Sequence, residues 1–482
     1  MTFFTFMKNI RKILFIQIPL LFSICCFSQK KIPVAVWLTK GDSTVLFQQQ
    51  RSAFFFQNTG PGSGGIIKLD PGTVYQAIDG FGFALTQGSA MHMIRMSAAK
   101  RAALIKELFD TAGNNIGISY IRLSIGASDL NEKIFSYNDL PPGQTDTALT
   151  KFDLGPDHQD VIPVMKEILA INPEIKIMGS PWSPPAWMKT NHDTRGGRLN
   201  PEFYSVYAKY LLMYVTAMKQ QGIIIDAITI QNEPLHPGNN PSLLMTAPEQ
   251  AAFIKNHLGP LFESNQIQTK IVIYDHNADR PDYPIYILND PDARKYIDGS
   301  AFHLYGGEIE ALSDVHDAYP DKHIYFTEQM VVQFGERKRH DRPRLNIASP
   351  VSRLFIGATR NWSRNVLEWN LAANSAFTPY TDRGGCSICQ GAISIDGDRV
   401  TRNLAYYAMA HASKFVRPGS IRIASGVIKN ISNVAFKTPG GKIVVLAANT
   451  SKEKQTFTIQ YKKQFLTTTL DAGSVATYWW NE

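Results

Sequence analysis

Between residues 77 and 415 the chain repeats one alternation eight times, a short apolar run followed by a stretch of helical period. The runs are 77–85, 117–125, 174–182, 223–231, 270–275, 297–305, 323–331 and 364–372. Runs of this length, rich in β-branched residues and poor in charge, suit strands covered on both faces. Between them apolar residues recur at i, i+3, i+4 and i+7. In 200–220, Tyr207, Tyr210, Leu211, Tyr214, Val215 and Met218 share one face, and Asn200 with Pro201 reads as a helix start. Ser97 likewise opens a helix that buries Leu104, Ile105, Leu108 and Phe109. Eight such units predict an α/β fold, a (β/α)8 TIM barrel. An open doubly wound sheet competes, but no GxGxxG follows the first run and no P-loop is present.

The ends of the chain read differently. After Gly419, short strand-like runs are separated by turns such as Thr438-Pro439-Gly440-Gly441, with no helical period. Residues 33–75 are similarly strand-rich. The expectation is a β-sandwich built from 416–482 and joined by N-terminal strands from 29–75, beside a catalytic barrel over 76–415. The 482 residues and a 44% hydrophobic composition supply core enough for both.

Residues 1–28 read as an export signal. Lys8, Arg11 and Lys12 precede an apolar run from Ile13 to Phe27, the length of a signal core and short for a membrane span. Cleavage is expected after Ser28, giving a periplasmic or extracellular protein with no stable membrane span; a retained anchor or acylation at Cys25 or Cys26 is the alternative. The formal charge of +8 then falls to about +5, dispersed and without a basic–aromatic block, which argues against nucleic acid as a partner. Of four cysteines only Cys386 and Cys389 remain, too few for a closed zinc site, and an oxidising compartment makes them a disulfide that stiffens its loop.

Barrel enzymes carry their chemistry at the C-terminal ends of strands. That rule selects Glu233, where the fourth run ends in Gln231-Asn232-Glu233-Pro234, and Glu328 in the seventh. A carboxylate closing a buried apolar run is either paired or functional. A structural ion pair with Arg122 is the plain alternative. Two carboxylates across a barrel mouth suit glycoside hydrolysis, one donating a proton and the other attacking the anomeric carbon. Asn232 fits as a donor to a sugar hydroxyl. Trp182 and Trp187 after the third run, His303 and Tyr305 in the sixth and Trp369 in the eighth add aromatic faces for sugar rings.

The blocks GFGFALTQGSA, GSPWSPPAWMKTN, TIQNEP, FHLYGG, YFTEQ and EWNLA resemble, in order, those of glycoside hydrolase family 30, which holds glucosylceramidases and endo-β-1,6-glucanases. The resemblance runs from about residue 76 to 420. It implies a (β/α)8 barrel with an attached β-sandwich, retaining chemistry, Glu233 as acid/base and Glu328 as nucleophile. It implies Trp182, Asn232 and Tyr305 as subsite residues and Arg122 beside the nucleophile. Glucosylceramidases carry an aspartate after the threonine of the first block, holding the terminal glucose; here Gln87 stands there and is expected to bind sugar without a charge. That departure, and the CxxC loop around Cys386 and Cys389, favours a β-1,6-glucan oligosaccharide or polysaccharide as substrate over a glucosylated lipid.

No cofactor and no metal belong to this scheme. A non-catalytic carbohydrate-binding protein would keep the tryptophans without needing both glutamates. A metallohydrolase would have to use Asp275, His276, Asp279 and Asp282, which read instead as a solvated loop at the barrel mouth. No GxSxG elbow is present.

Overall fold

The structure is a computed structural model that describes residues 1–2, 31–333 and 345–482. The chain divides into two units, Met1–Lys31 and Ile32–Glu482. The signal segment expected at 1–28 lies outside the described residues, Met1 and Thr2 apart. The barrel and the sandwich both belong to the second unit.

Eight parallel strands form one sheet: β1 (Gly80–Ala84), β2 (Tyr120–Ile125), β3 (Lys176–Pro181), β4 (Ala227–Thr229), β5 (Lys270–Ala278), β6 (Ile297–Gly307), β7 (His323–Glu328) and β8 (Asn365–Asn370). Strands β1 to β6 each pair with the next in sequence, and β8 pairs with β1. Between β7 and β8 a parallel bridge joins Ile324 to Ser363, and the Arg364 N–H donates to the Ile324 carbonyl at 2.9 Å. The sheet is therefore a nearly closed barrel. Helices follow the strands, as in Ala98–Phe109, Val161–Ile171 and Tyr204–Gln220. Every residue on the expected face of Tyr204–Gln220 is buried, and so are the four expected for Ala98–Phe109. Residues 201–203 form a 3-10 turn before the α-helix, and neither Asn200 nor Ser97 makes a side-chain cap.

The second body is built on a ten-stranded sheet. Pro33–Thr39 lies antiparallel to Val475–Asn481, pairing Ala35 with Trp479 and Leu38 with Ala476. Gly65–Ala77 runs between Ile421–Ser425 and Gln455–Tyr461. Both ends of the chain thus build the sandwich. Strand alternation serves two cores at once. Ala435, Ile443, Val445 and Ala447 enter the sandwich interior, while Val434, Phe436, Val444, Leu446 and Ala448 join the large core shared with the barrel. At that joint the ring of His411, from the barrel's last helix Leu404–Ser413, lies between Thr39 Oγ1 at 2.8 Å and Thr477 Oγ1 at 3.0 Å. Burial lowers its pKa to about 3, so the ring is neutral.

Candidate active site

Tyr120, Met178, Ala227, Val272, Ala301, Tyr325 and Leu367, one from each of β2 to β8, form a small apolar cluster inside the barrel. The next inward position on a strand is two residues later. On six strands that position carries Arg122, Ser180, Thr229, His303, Thr327 and Trp369, all buried. On β5 the inward group comes three residues later, as Asp275. Tyr274 and Asp275 adopt φ of 73° and 63°, and the register against β6 slips between Ala301 and Phe302. Left-handed backbone at non-glycine residues costs on the order of 1–3 kcal/mol and persists where the surroundings hold it.

The hold on Asp275 is a ring of donors. Its Oδ2 accepts from Arg122 Nη2 at 2.9 Å and from Ser180 Oγ and Thr229 Oγ1, each at 2.7 Å. Its Oδ1 accepts from Thr327 Oγ1 at 2.6 Å and pairs with His303 Nε2 at 3.0 Å. Burial opposes this charge, but Arg122, His303 and Thr327 hold the Asp275 carboxyl well below the usual carboxylate range. The other half of the Arg122 fork donates to Glu328 Oε2 at 2.7 Å, and Nη2 also reaches Asn232 Oδ1 at 2.7 Å. Asp275 and His276 are thus buried strand residues rather than the solvated loop expected from sequence; only Asp279 and Asp282 are exposed, the latter paired with Arg280.

The two glutamates have unlike neighbours. Glu328 receives Arg122 on one oxygen and the Tyr305 hydroxyl on the other at 3.0 Å, and that hydroxyl is itself fixed by the Met330 N–H at 3.0 Å. Glu233, at φ 45°, donates its own N–H to the Asp275 carbonyl at 2.9 Å. Its Oε1 lies 3.2 Å from His303 Nδ1 and 3.8 Å from His276 Nδ1. Burial disfavours an imidazolium at His303, but the charge of Glu328 and the bonds to Asp275 and Glu233 prevail and push its pKa up to about 9. Burial opposes ionisation of Glu233 as well; the two histidines overcome it and bring its carboxyl below the ordinary range. Glu328 is raised by burial against the pull of His303 and Arg122. The 3.2 Å contact between His303 Nδ1 and Glu233 Oε1 is a direct path along which a proton can pass between the two groups.

Above them opens a cavity of about 270 Å³, lined by Asp129, Trp182, Asn232, Glu233, Tyr305, Glu328 and Trp369, with Cys386 and Cys389 in its wall. The Trp182 and Trp369 rings lie 5.3 Å apart, and the Arg122 guanidinium stacks 4.8 Å from the Trp182 ring centre. Cys386 and Cys389 form a disulfide, Cα to Cα 5.5 Å, and Cys389 packs with Ala84, Leu130 and both tryptophans. A larger cavity of about 570 Å³ sits where barrel meets sandwich, but among the described residues no carboxylate lines it, so the chemistry belongs to the smaller one.

Of the residues singled out from sequence, Glu233, Glu328, Trp182, Asn232, Tyr305 and Trp369 share this cavity, and Arg122 and His303 are fully buried behind it. Gln87 does not line it: its Oε1 accepts from Asn131 Nδ2 at 2.7 Å, near the start of helix Gln87–Ile94. Trp187 turns into the core, stacked edge-on against Phe203 and donating to the Asn138 carbonyl at 2.9 Å. A further acidic group lines the cavity, Asp129, missed in sequence because it follows a strand within a loop of small residues. Burial first, then the charges of Glu328 and Glu233, raise its pKa to about 7.

Two buried carboxylates in unlike surroundings, beside tryptophans at the C-terminal mouth of a (β/α)8 barrel, define a glycoside hydrolase. The chain belongs to glycoside hydrolase family 30: residues 78–416 match the family's TIM-barrel domain and residues 419–478 its β-sandwich domain. It is similar to an endo-1,6-β-D-glucanase of Aspergillus fumigatus, 33% identical over 400 residues that cover 78% of this chain and 79% of the relative. It is also similar to the lysosomal acid glucosylceramidase of Mus musculus, 28% identical over 87% of this chain and 84% of that one. Among solved structures, an endo-β1,6-glucanase superposes with a TM-score of 0.84 at 32% identity, covering 93% of this chain and all of the other.

Proposed function

We propose that the protein is an exported endo-β-1,6-glucanase that works with retention, Glu328 as nucleophile and Glu233 as acid/base. The observation that carries this reading is the contrast in donors. Glu328 accepts from Arg122 and Tyr305 on its two oxygens, donors that favour its anion against the burial that raises its pKa, whereas Glu233 shares its oxygen with a histidine able to hand over a proton. In the first step a Glu328 oxygen bonds to the anomeric carbon as the glycosidic bond breaks, and Glu233 protonates the departing oxygen. In the second, Glu233 takes a proton from water as that water displaces Glu328. Trp182, Trp369, Asn232 and Tyr305 bind the sugar, with Arg122 and His303 fixing the carboxylates from below.

The β-1,6-glucan is supported by the relatives and the solved structure that carry that activity in their names at 31–34% identity. Glucosylceramide is the second reading, favoured by a glucosylceramidase aligned over 87% of the chain. Export rests on the basic–apolar pattern of residues 1–28. Among the described residues no helix is long and apolar enough to cross a membrane. Matches at 78–416 and 419–478 support domain limits at 76–415 and 416–482, with 29–75 completing the sandwich.

Product analysis tests the substrate. The protein is incubated with β-1,6-glucan and, separately, with detergent-dispersed glucosylceramide, Glu328→Gln serving as control. Short gluco-oligosaccharides from the glucan alone are expected, and ceramide release alone would overturn the preference. Azide tests the roles: Glu233→Gly should yield the β-glycosyl azide and Glu328→Gly the α-anomer, and the reverse would exchange the assignments.

A further inference from the structure

We infer that Glu233, His276 and His303 form a binding site for a divalent transition metal, zinc(II) foremost, and that its occupation shuts off hydrolysis. The binding half stands on geometry alone; the inhibition rests on the role proposed for Glu233.

All three side chains are buried, and one ligand atom from each lies within 4.8 Å of the others. Zinc holds imidazole nitrogen and carboxylate oxygen at about 2.0–2.2 Å, which places neighbouring ligand atoms roughly 3.3–3.5 Å apart. Glu233 Oε1 is already 3.2 Å from His303 Nδ1 and 3.8 Å from His276 Nδ1. The remaining distance closes if His276 turns. Its Nδ1 is buried without a hydrogen-bond partner among the described residues, a condition that calls for an explanation in a native interior. His303 is braced in the way zinc-binding histidines are braced, its far nitrogen 3.0 Å from the Asp275 carboxylate. Glu233 and His276 both line the cavity, so a fourth position faces open space where water or an anion completes the set.

Composition points the same way. Three carboxyl groups, Glu233, Asp275 and Glu328, face one guanidinium, Arg122, an excess of acidic over basic groups that a dication would offset. Two imidazoles and one carboxylate favour zinc(II), copper(II) or nickel(II) over magnesium or calcium, which prefer all-oxygen sites. Once bound, the metal holds the Glu233 oxygen that would otherwise deliver the proton.

The test uses the purified protein, with zinc(II) binding followed by calorimetry and cobalt(II) by its visible absorption. One metal per chain is expected, with tetrahedral cobalt bands, reversible loss of β-1,6-glucan hydrolysis at the same concentrations, and recovery on chelation. Magnesium at millimolar concentration should do nothing. His276→Gln should weaken zinc binding tenfold or more, and Asp275→Asn tenfold or more through His303. Glu328→Gln, which leaves the three ligands intact, should bind zinc as the parent does although it turns nothing over. Absence of binding at millimolar zinc, or binding indifferent to His276→Gln, overturns the site. Binding with the expected variant response but no inhibition keeps the site and sinks instead the role given to Glu233.

Discussion

Arg122 donates Nη1 to Glu328 at 2.7 Å and Nη2 to Asp275 at 2.9 Å, so one guanidinium sealed from solvent serves a carboxylate at the cavity and another beneath it. Removing it leaves Asp275 with hydroxyl donors and with His303, which Glu233 also engages. Arg122→Met should cost about 3–5 kcal/mol, the usual loss when a buried pair is broken from one side. Arg122→Met with Asp275→Asn should recover part of that loss, since the orphaned charge goes too. Chemical denaturation of the two singles and the double measures the coupling; full additivity would mean the pair is not a unit.

Asp129, not singled out from sequence, takes the place at the cavity that was expected of Gln87. Asp129 lines the cavity and Gln87 bonds Asn131 outside it. Asp129→Ala should lower kcat/KM by an order of magnitude or more, the worth of a lost charged hydrogen bond of about 1.5–3 kcal/mol. Gln87→Ala should leave kcat/KM within about twofold, as for a contact remote from substrate. With a pKa near 7, Asp129 is protonated in acid, so Asp129→Asn should mimic the acid form and flatten the pH profile around neutrality. Equal damage from the two alanines would reverse this assignment.

Glu368, on β8, is buried with neither carboxyl oxygen hydrogen-bonded among the described residues, and burial alone raises its pKa far above normal. Its folded form keeps a proton that the unfolded chain releases above about pH 4.3. Stability from this group is therefore intact below that pH and falls as pH rises toward the folded pKa, by up to about 1.4 kcal/mol per pH unit. Glu368→Gln should raise the Tm more at pH 8 than at pH 5. A uniform shift at both would mean that the carboxyl has found a partner.

The Cys386–Cys389 disulfide stands in the wall of the cavity, against the cluster that holds Trp182 and Trp369. Its loop is also tied to the site by the Thr381 N–H, which donates to the Asp129 carbonyl at 2.9 Å. Cys386→Ser with Cys389→Ser should raise KM about three- to tenfold while kcat stays within about twofold, as expected of lost substrate positioning. Gentle reduction should reproduce the effect. An unchanged KM would leave the disulfide a purely structural clip.

Much of the fold is legible in the chain because the barrel's signals are local. The eight apolar runs became the eight strands, and the run ends carried Glu233 and Glu328 to the mouth. The pairing of Arg122 with Glu328, a structural alternative to function on sequence grounds, is present, and Glu328 lines the cavity as well. Asp275 escapes a sequence reading because two left-handed residues shift it by one position, which no alternation count detects. Trp187 and Trp182 share one loop with the same composition, yet Trp182 faces the cavity and Trp187 the core. Direction within a proline-rich loop is set by contacts with Asn138 and Phe203, distant in sequence.

The pairing of Pro33–Thr39 with Val475–Asn481 has a cost in time. A ribosome adding 5–20 residues per second reaches the partner strand roughly 440 residues later, some 20–90 s after the first strand emerges. Through that interval an apolar ribbon with one unmet edge is exposed, the kind of surface to which other chains add themselves. Most barrel strands pair with sequence neighbours and can assemble earlier, but the core they share with the sandwich closes only when Val475–Asn481 arrives. The last strand made therefore completes both bodies, and deleting it should cost the barrel stability as well as the sandwich.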